Sequence, residues 1–364
     1  MGTIFRPVLA LLAAAWLAVA AHPACAADIL FSGQDDILRG LDASYRLRFS
    51  EARSIFSKLT ADHPASPAGL FYTAAIDSGM TESDARWRLM ANLYVSSPLA
   101  KRDVRKPEEL TRNLNIVIER CKTILRKNPD DFEALFYMAG SYAFLARMEG
   151  YRSNWLSAMY NGKKATGYFD ELYTRYPDRG DALIGPAVYK YHVGRLPKPM
   201  QWLVWFLGLS GSREEGLRLA ERAHERAILS KVEAADFLAR TYWQYESDYS
   251  RALQWAEVLD REMPQAPLAG FVRLVTYHNL GDIEKEESAA KTLLPLLEGI
   301  EPEAKADWEP LMFFAIGTVA ERKGETAVAR GWYAKSLAVT KSDPRLRAEV
   351  TLRMKNLPTQ AARK

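Results

Sequence analysis

The stretch Ala52-Arg53-Ser54-Ile55-Phe56-Ser57-Lys58-Leu59-Thr60-Ala61-Asp62-His63-Pro64 decides the fold. Ala52, Phe56 and Leu59 stand four and three residues apart, which places them on one face of a helix, and Pro64 follows five residues later. A proline lacks the backbone donor that a continuing helix needs, so it marks where this helix must stop. The same spacing returns at Val117, Cys121, Ile124 and Pro129, at Ala165, Phe169, Leu172 and Pro177, and at Ala252, Ala256, Leu259 and Pro264. Outward from these copies, apolar residues recur at three- and four-residue intervals through residues 35–61, 112–127, 132–147, 213–230, 232–245 and 311–322. Strand-like alternation and Asn-Gly hairpin signals are largely lacking. The chain therefore reads as all-α.

The spacing resembles the second helix of the tetratricopeptide repeat, in which a small residue lets two antiparallel helices approach and a proline fixes the end. Asp130 and Asp131, followed by Leu135, Met138, Ala139 and Tyr142, match the first helix of that repeat, with the aspartates placed to cap it. Gly317, Gly324, Ala329 and Tyr333 match a late pair. Departures are plain: the copies are separated by 65, 48 and 87 residues instead of a steady 34, Val117 replaces a small residue, and Lys341 stands where the last proline belongs. The resemblance implies a right-handed superhelical array of antiparallel helix pairs, a degenerate tetratricopeptide-like solenoid. N-terminal repeats are expected over 27–180 with an insertion near 143–164. C-terminal repeats follow over 181–357 with a hydrophobic insertion near 195–211, and a flexible tail over 358–364.

A helix pair of this kind buries its apolar face only by stacking on neighbours, and the stack curves. Its concave face suits an extended segment of another protein. The expected function is a non-catalytic scaffold or adaptor that binds a partner protein. The alternative is a carrier or sensor of a hydrophobic ligand such as a lipid, which requires a closed apolar cavity. An enzyme requires Tyr189, His192 and a carboxylate to converge.

The segment Gly185–Leu217 departs from a plain repeat. Trp202 to Leu207 is apolar without a break and sits between glycines and prolines, which predicts a short hydrophobic helix. An all-round apolar run reads first as core. The sharper reading exposes Trp202, Trp205 and Phe206 to a partner peptide, a lipid or the membrane surface, with Tyr189, Tyr191, His192, Arg195 and Lys198 as the rim. Trp, Tyr and Arg are enriched in binding hot spots. The 143–164 insertion adds Arg152 and Trp155. Ser212 and Glu215 form a predicted capping box at the next helix, and Glu214 is placed to pair with Arg218. Leu196-Pro197, Gly208 to Arg213 and Gly216-Leu217 resemble a signature of the eukaryotic inclusion-body-clearance group of tetratricopeptide proteins, with Ser212 where that group has aspartate. That resemblance implies a shared helical architecture.

Arg6, the apolar run 7–21 and the small residues around Ala24 and Ala26 read as a secretory signal over 1–26, cleaved after Ala26. A periplasmic or otherwise exported location follows as an expectation, with association with a cell-envelope assembly. A lipoprotein built on Cys25 and an uncleaved membrane anchor are the lesser alternatives. After cleavage Cys121 is the single cysteine, so no internal disulfide forms, and its place in the repeat predicts a buried thiol. A net charge of +4 over 364 residues, with one short basic stretch at 101–106, argues against nucleic acid. The histidines show no H-E-x-x-H or other short ligand spacing, and Gly208-Leu209-Ser210-Gly211-Ser212 lacks the endings of a phosphate loop or a G-x-S-x-G elbow. No cofactor or metal is expected.

Overall fold

The computed structural model describes residues 30–79, 106–206, 208–339 and 342–358. The signal-like N-terminus, Leu207, Lys341, most of the 101–106 stretch and nearly all of the tail lie outside the described residues. Among those described there is no strand.

The helices are α1 (Gln34–Tyr45), α2 (Phe49–Asp62), α3 (Ala68–Asp77), α4 (Pro107–Lys127), α5 (Phe132–Tyr151), α6 (Trp155–Arg175), α7 (Ile184–Gly194) and α8 (Lys198–Phe206). They continue with α9 (Arg213–Arg226), α10 (Lys231–Thr241), α11 (Tyr249–Glu262), α12 (Pro267–Leu280), α13 (Ile283–Glu298), α14 (Pro302–Arg322), α15 (Thr326–Ala338) and α16 (Pro344–Asn356). Packing resolves them into seven pairs: α1/α2, α3/α4, α5/α6, α7/α9, α10/α11, α12/α13 and α14/α15, with α16 against the last. Each pair also packs on the next, which is the arrangement of a helical-repeat solenoid.

The four proline-terminated copies are the second helices α2, α4, α6 and α11, and they stop alike. The residue after each helix, His63, Asn128, Tyr176 or Met263, leaves the helical region, at φ −126°, −136°, −132° and −134° with ψ 65°, 94°, 57° and 68°. Its N–H still bonds back to the carbonyl of Leu59, Ile124, Leu172 or Leu259. The steric demand of a proline two residues past the helix end is met by a residue directly before it that has left the α region. Ala52, Phe56, Leu59, Val117, Cys121, Leu172, Ala252 and Ala256 are fully buried. Burying a Phe or Leu side chain contributes about 1.5–3 kcal/mol, so each seam is a main source of stability. Cys121 is free, and burial pushes its thiol up to about 12.

The interval of 87 residues contains a further copy. Gly216, Ala220 and Ala223 take the same places on α9, and the latter two are fully buried. Glu286, Ala290 and Leu293 take them on α13. Glu286 is therefore a carboxylate at a seam. It is wholly buried, and it is held by His278 Nδ1 at 2.7 Å and by Arg322.

The array also closes on itself. The α1–α2 turn reaches the links between late pairs: Arg46 donates to the Pro264 carbonyl at 2.7 Å, and Ser50 Oγ donates to Glu301 at 3.0 Å. Two buried clusters part between Ala182 and Leu183, and each takes one residue from the other side, Leu47 and Leu229 respectively. Between them Asp181 is almost fully buried and accepts the N–H groups of Ile228, Leu229 and Ser230 at 2.8, 3.0 and 2.7 Å. Tyr45 lies beside Glu233, whose carboxyl burial pushes up to about 7.

Candidate functional site

Two edges run along the array. Links between pairs, where a second helix passes to the next first helix, are short throughout. Surplus chain collects at the other edge, the hairpin edge, where the first helix of a pair turns into the second. α3 and α4 meet at this edge, and the chain between Gly79 and Lys106 lies outside the described residues. α5 and α6 spend their surplus as length, 20 and 21 residues, meeting in a tight turn. α7 and α9 enclose α8. The 143–164 insertion is thus an overlong helix pair and not a loop.

α8 emerges through a neck. Gly216 brings α9 against α7: a Cβ there would lie 2.6 Å from the Tyr191 backbone nitrogen, so no larger residue fits. The Tyr191 hydroxyl donates to Glu246 on the turn after α10, and Arg213 pairs with the same carboxylate. Burial and that carboxylate raise the phenol's pKa well above its ordinary value. Gln201 Nε2 ties the base of α8 to the end of α7, donating to the carbonyls of Gly194 and Leu196 at 3.0 and 2.7 Å. Ser212 caps α9 by accepting from Glu215 N–H at 3.2 Å. The rest of the expected box is redirected. Glu215 pairs with Lys190 at 2.9 Å, and Glu214 takes the Ser212 hydroxyl at 2.7 Å in place of Arg218.

Trp202 and Trp205 are 64% and 62% exposed, so the core reading of this segment fails for both. α8 has α7 as its principal helix neighbour, and most of the surface of Trp202 and Trp205 stays open to solvent. The side chain of Phe206 lies outside what is described. Of the expected rim, His192, Arg195 and Lys198 are exposed, while Tyr189 is half-buried and donates its hydroxyl to Asp170. Tyr191 is not at the rim: it is fully buried, because its ring fills the α7/α9 seam. Arg195 stacks over Tyr245 with its guanidinium carbon 3.9 Å from the ring centre. His192 meets the rings of Phe237 and Tyr245. Tyr189 thus leans on Asp170 of α6, while the rings around His192 belong to α10 and the turn after it.

Arg152 and Trp155 sit at the α5–α6 turn, and both are exposed. Beside them Leu156, Met159 and Tyr160 are also more than half exposed, and no signal in the sequence singled these out. Phe169 meets Gly185, and Tyr189 bonds Asp170, which fixes α6 beside α7. Trp155 lies fifteen residues before Asp170, about 22 Å along the helix, so the α5/α6 pair overhangs the end of α7 on the side where α8 emerges.

A second feature is an open groove of about 890 Å³ along the outer face of α4. Its lining includes Ala65, Glu108, Arg112, Ile116, Glu119 and Arg120. Another concavity, about 580 Å³ between α15 and the end of α16, is also open. Neither is the closed apolar cavity that a ligand carrier requires. Among the described residues no group of three or more His, Cys, Asp or Glu side chains is placed to hold a metal, and no helix is long and apolar enough to cross a membrane.

The fold defines a class: a degenerate, tetratricopeptide-like helical-repeat protein. No family model matches the chain, and no curated protein matches it by sequence. Solved helical-repeat structures do match. TTC0263, a thermophilic tetratricopeptide-repeat protein of Thermus thermophilus, is 18% identical over 68% of this chain and 96% of its own, with a TM-score of 0.27. The APC/C hetero-tetramer Cut9–Hcn1 is 14% identical over 88% and 70%, with a TM-score of 0.37. The human IFIT1 dimer with m7Gppp-AAAA is 13% identical over 91% and 86%, with a TM-score of 0.41. The binding partners in those structures belong to those proteins.

Proposed function

We propose that this chain is an exported, non-catalytic scaffold that binds a partner protein on the outside of its helical array. The closure of the array carries the reading. The first pair is docked onto the late pairs through Arg46, Leu47 and Ser50, so part of the array that an extended peptide would need is engaged by the chain itself. The groove along α4 remains, long enough for a helix or strand of a partner. It carries Glu108 and Glu119 together with Arg112, Arg120 and Lys127, a mixed lining that suits a polypeptide better than a phosphate chain. Ile116, 42% exposed in the middle of that lining, is the apolar anchor. Export rests on the signal-like residues 1–26 and places the scaffold at the cell envelope.

A photo-crosslinking residue at position 116, used in cells and read by mass spectrometry, tests this. One protein should be captured repeatedly and lost with Arg112→Glu/Arg120→Glu. Equal capture from position 352, an exposed site far from the groove, would sink the reading. N-terminal sequencing of the exported protein should begin at Ala27 or Asp28, and full-length chain in the membrane fraction would refute cleavage.

A further inference from the structure

We infer that the hairpin edge of the third and fourth pairs is a docking surface for an anionic lipid bilayer. Three observations carry this, none of which depends on the partner reading above. The first is where the exposed apolar groups are. Of the eleven large hydrophobic side chains exposed among the described residues, six lie on this edge: Trp155, Leu156, Met159 and Tyr160 on α6, and Trp202 and Trp205 on α8. They come from neighbouring pairs at the same end of the helices.

The second is charge. Between Glu149 and Asp170, and again between Asp181 and Glu214, the chain has no acidic residue. Those two segments carry Arg152, Lys163, Lys164, Lys190, Arg195, Lys198 and Arg213. Glutamates from outside meet Arg152, Lys190 and Arg213. Lys164 and Arg195 lie over tyrosine rings. Lys163 and Lys198 are exposed and make no ion pair among the described residues. A second copy of the same edge would meet this one with like charge, which disfavours self-association.

The third is shape. The aromatic groups stand on the projecting parts, the overhanging α5/α6 tip and the tethered α8, with Trp202 and Trp205 three residues apart on one side of that helix. Hot-spot anchors of protein interfaces fill pockets. Projecting Trp and Tyr beside Lys and Arg is the composition that settles at the boundary of lipid headgroups and acyl chains, where the rings enter the apolar phase and the cations meet phosphate. α8 has nine residues, too few to span a bilayer, so it lies in the interface.

Flotation of the full chain with vesicles tests this. Phosphatidylcholine vesicles with about a third phosphatidylglycerol should bind it, binding should weaken as salt rises, and pure phosphatidylcholine should bind at least about tenfold less. Trp155→Ala/Trp202→Ala/Trp205→Ala and Lys163→Glu/Lys198→Glu should each lower partitioning about tenfold or more while the circular dichroism stays unchanged. The N-terminal residues are common to all the proteins, so the difference reports the edge alone. Equal partitioning by wild type and variants overturns the inference, as does no binding by wild type. Equal binding to neutral vesicles overturns it too. So does a wild-type dimer or RNA complex that the variants lose without any vesicle binding.

Discussion

The second helices of the late pairs keep nearly even step: Gly216, Ala252 and Glu286 are 36 and 34 residues apart. The early ones, Ala52, Val117, Ala165 and Gly216, are 65, 48 and 51 apart. Both regions obey the same seam, with small or tightly fitting residues where helices cross. The difference is where they place the chain that the seam does not use. The late pairs have little to spare, and their unusual chemistry is turned inward, as with Glu286. The early and middle pairs send their surplus out of the hairpin edge, where it exposes six large apolar side chains. In a stack held mainly by contacts between successive pairs, irregularity is tolerated along an edge that the packing does not use.

The comparison breaks most sharply at Glu286. Replacing it by Ala removes the carboxylate between His278 and Arg322 and leaves a cavity and an orphaned cation at a late seam. A loss of about 3–5 kcal/mol is expected in urea unfolding. A loss under about 1 kcal/mol would mean that the late seam tolerates disorder as the hairpin edge does.

Glu233 probes the junction between the two regions, and its effect has a sign. Burial pushes its pKa from 4.5 to about 7, so the folded protein holds a proton that the unfolded chain releases. Stability from this group is therefore fully present below about 4.5, falls as pH rises to about 7, and is flat above, a span of about 3 kcal/mol. Glu233→Gln should flatten that slope and raise the unfolding midpoint at pH 8 but not at pH 4.5. Parallel pH profiles for wild type and variant would remove Glu233 from the junction.

At an early seam, Ala165→Leu should cost about 1–3 kcal/mol by overpacking, read as a lowered midpoint with an unchanged slope. Smallest of all, Trp202→Ala/Trp205→Ala should leave stability within about 0.5 kcal/mol of wild type, as expected of exposed side chains. A larger loss would place these rings in the packing and not on an edge.

Legibility in the sequence followed the same division. Four seams were readable because each ends at a proline, a signal that owes nothing to the surroundings. The α9 copy was not, because Ala220 and Ala223 lack the bulk that marks a seam and no proline follows. The α13 copy was hidden by Glu286, since a carboxylate at a small-residue position looks like a solvent face until His278 and Arg322 are brought to it from other turns and helices. The unbroken apolar run from Trp202 to Leu207, set between glycines and prolines, pointed to a short helix. It could not show what lies above the helix, which depends on neighbours folded from elsewhere in the chain. Tyr191 and Tyr189 were placed on the rim by type and proximity, yet one ring fills the seam and the other leans on α6. The tip residues Leu156, Met159 and Tyr160 resemble any buried stripe until the helix is seen to outrun its partners.

The contacts of Arg46 with Pro264 and of Ser50 with Glu301 join residues 218 and 251 positions apart. Most of a stacked array can form locally, each hairpin settling on the one before it as synthesis proceeds. These contacts cannot: they must wait until some three hundred residues have been made. Loop closure over such a separation is slow, so the chain acquires a late step that depends on nearly its whole length. Under the export proposed above, such an ordering would suit a chain that threads a translocation channel before folding, because the first hairpin would have no finished surface to seat on until the rest of the molecule had crossed.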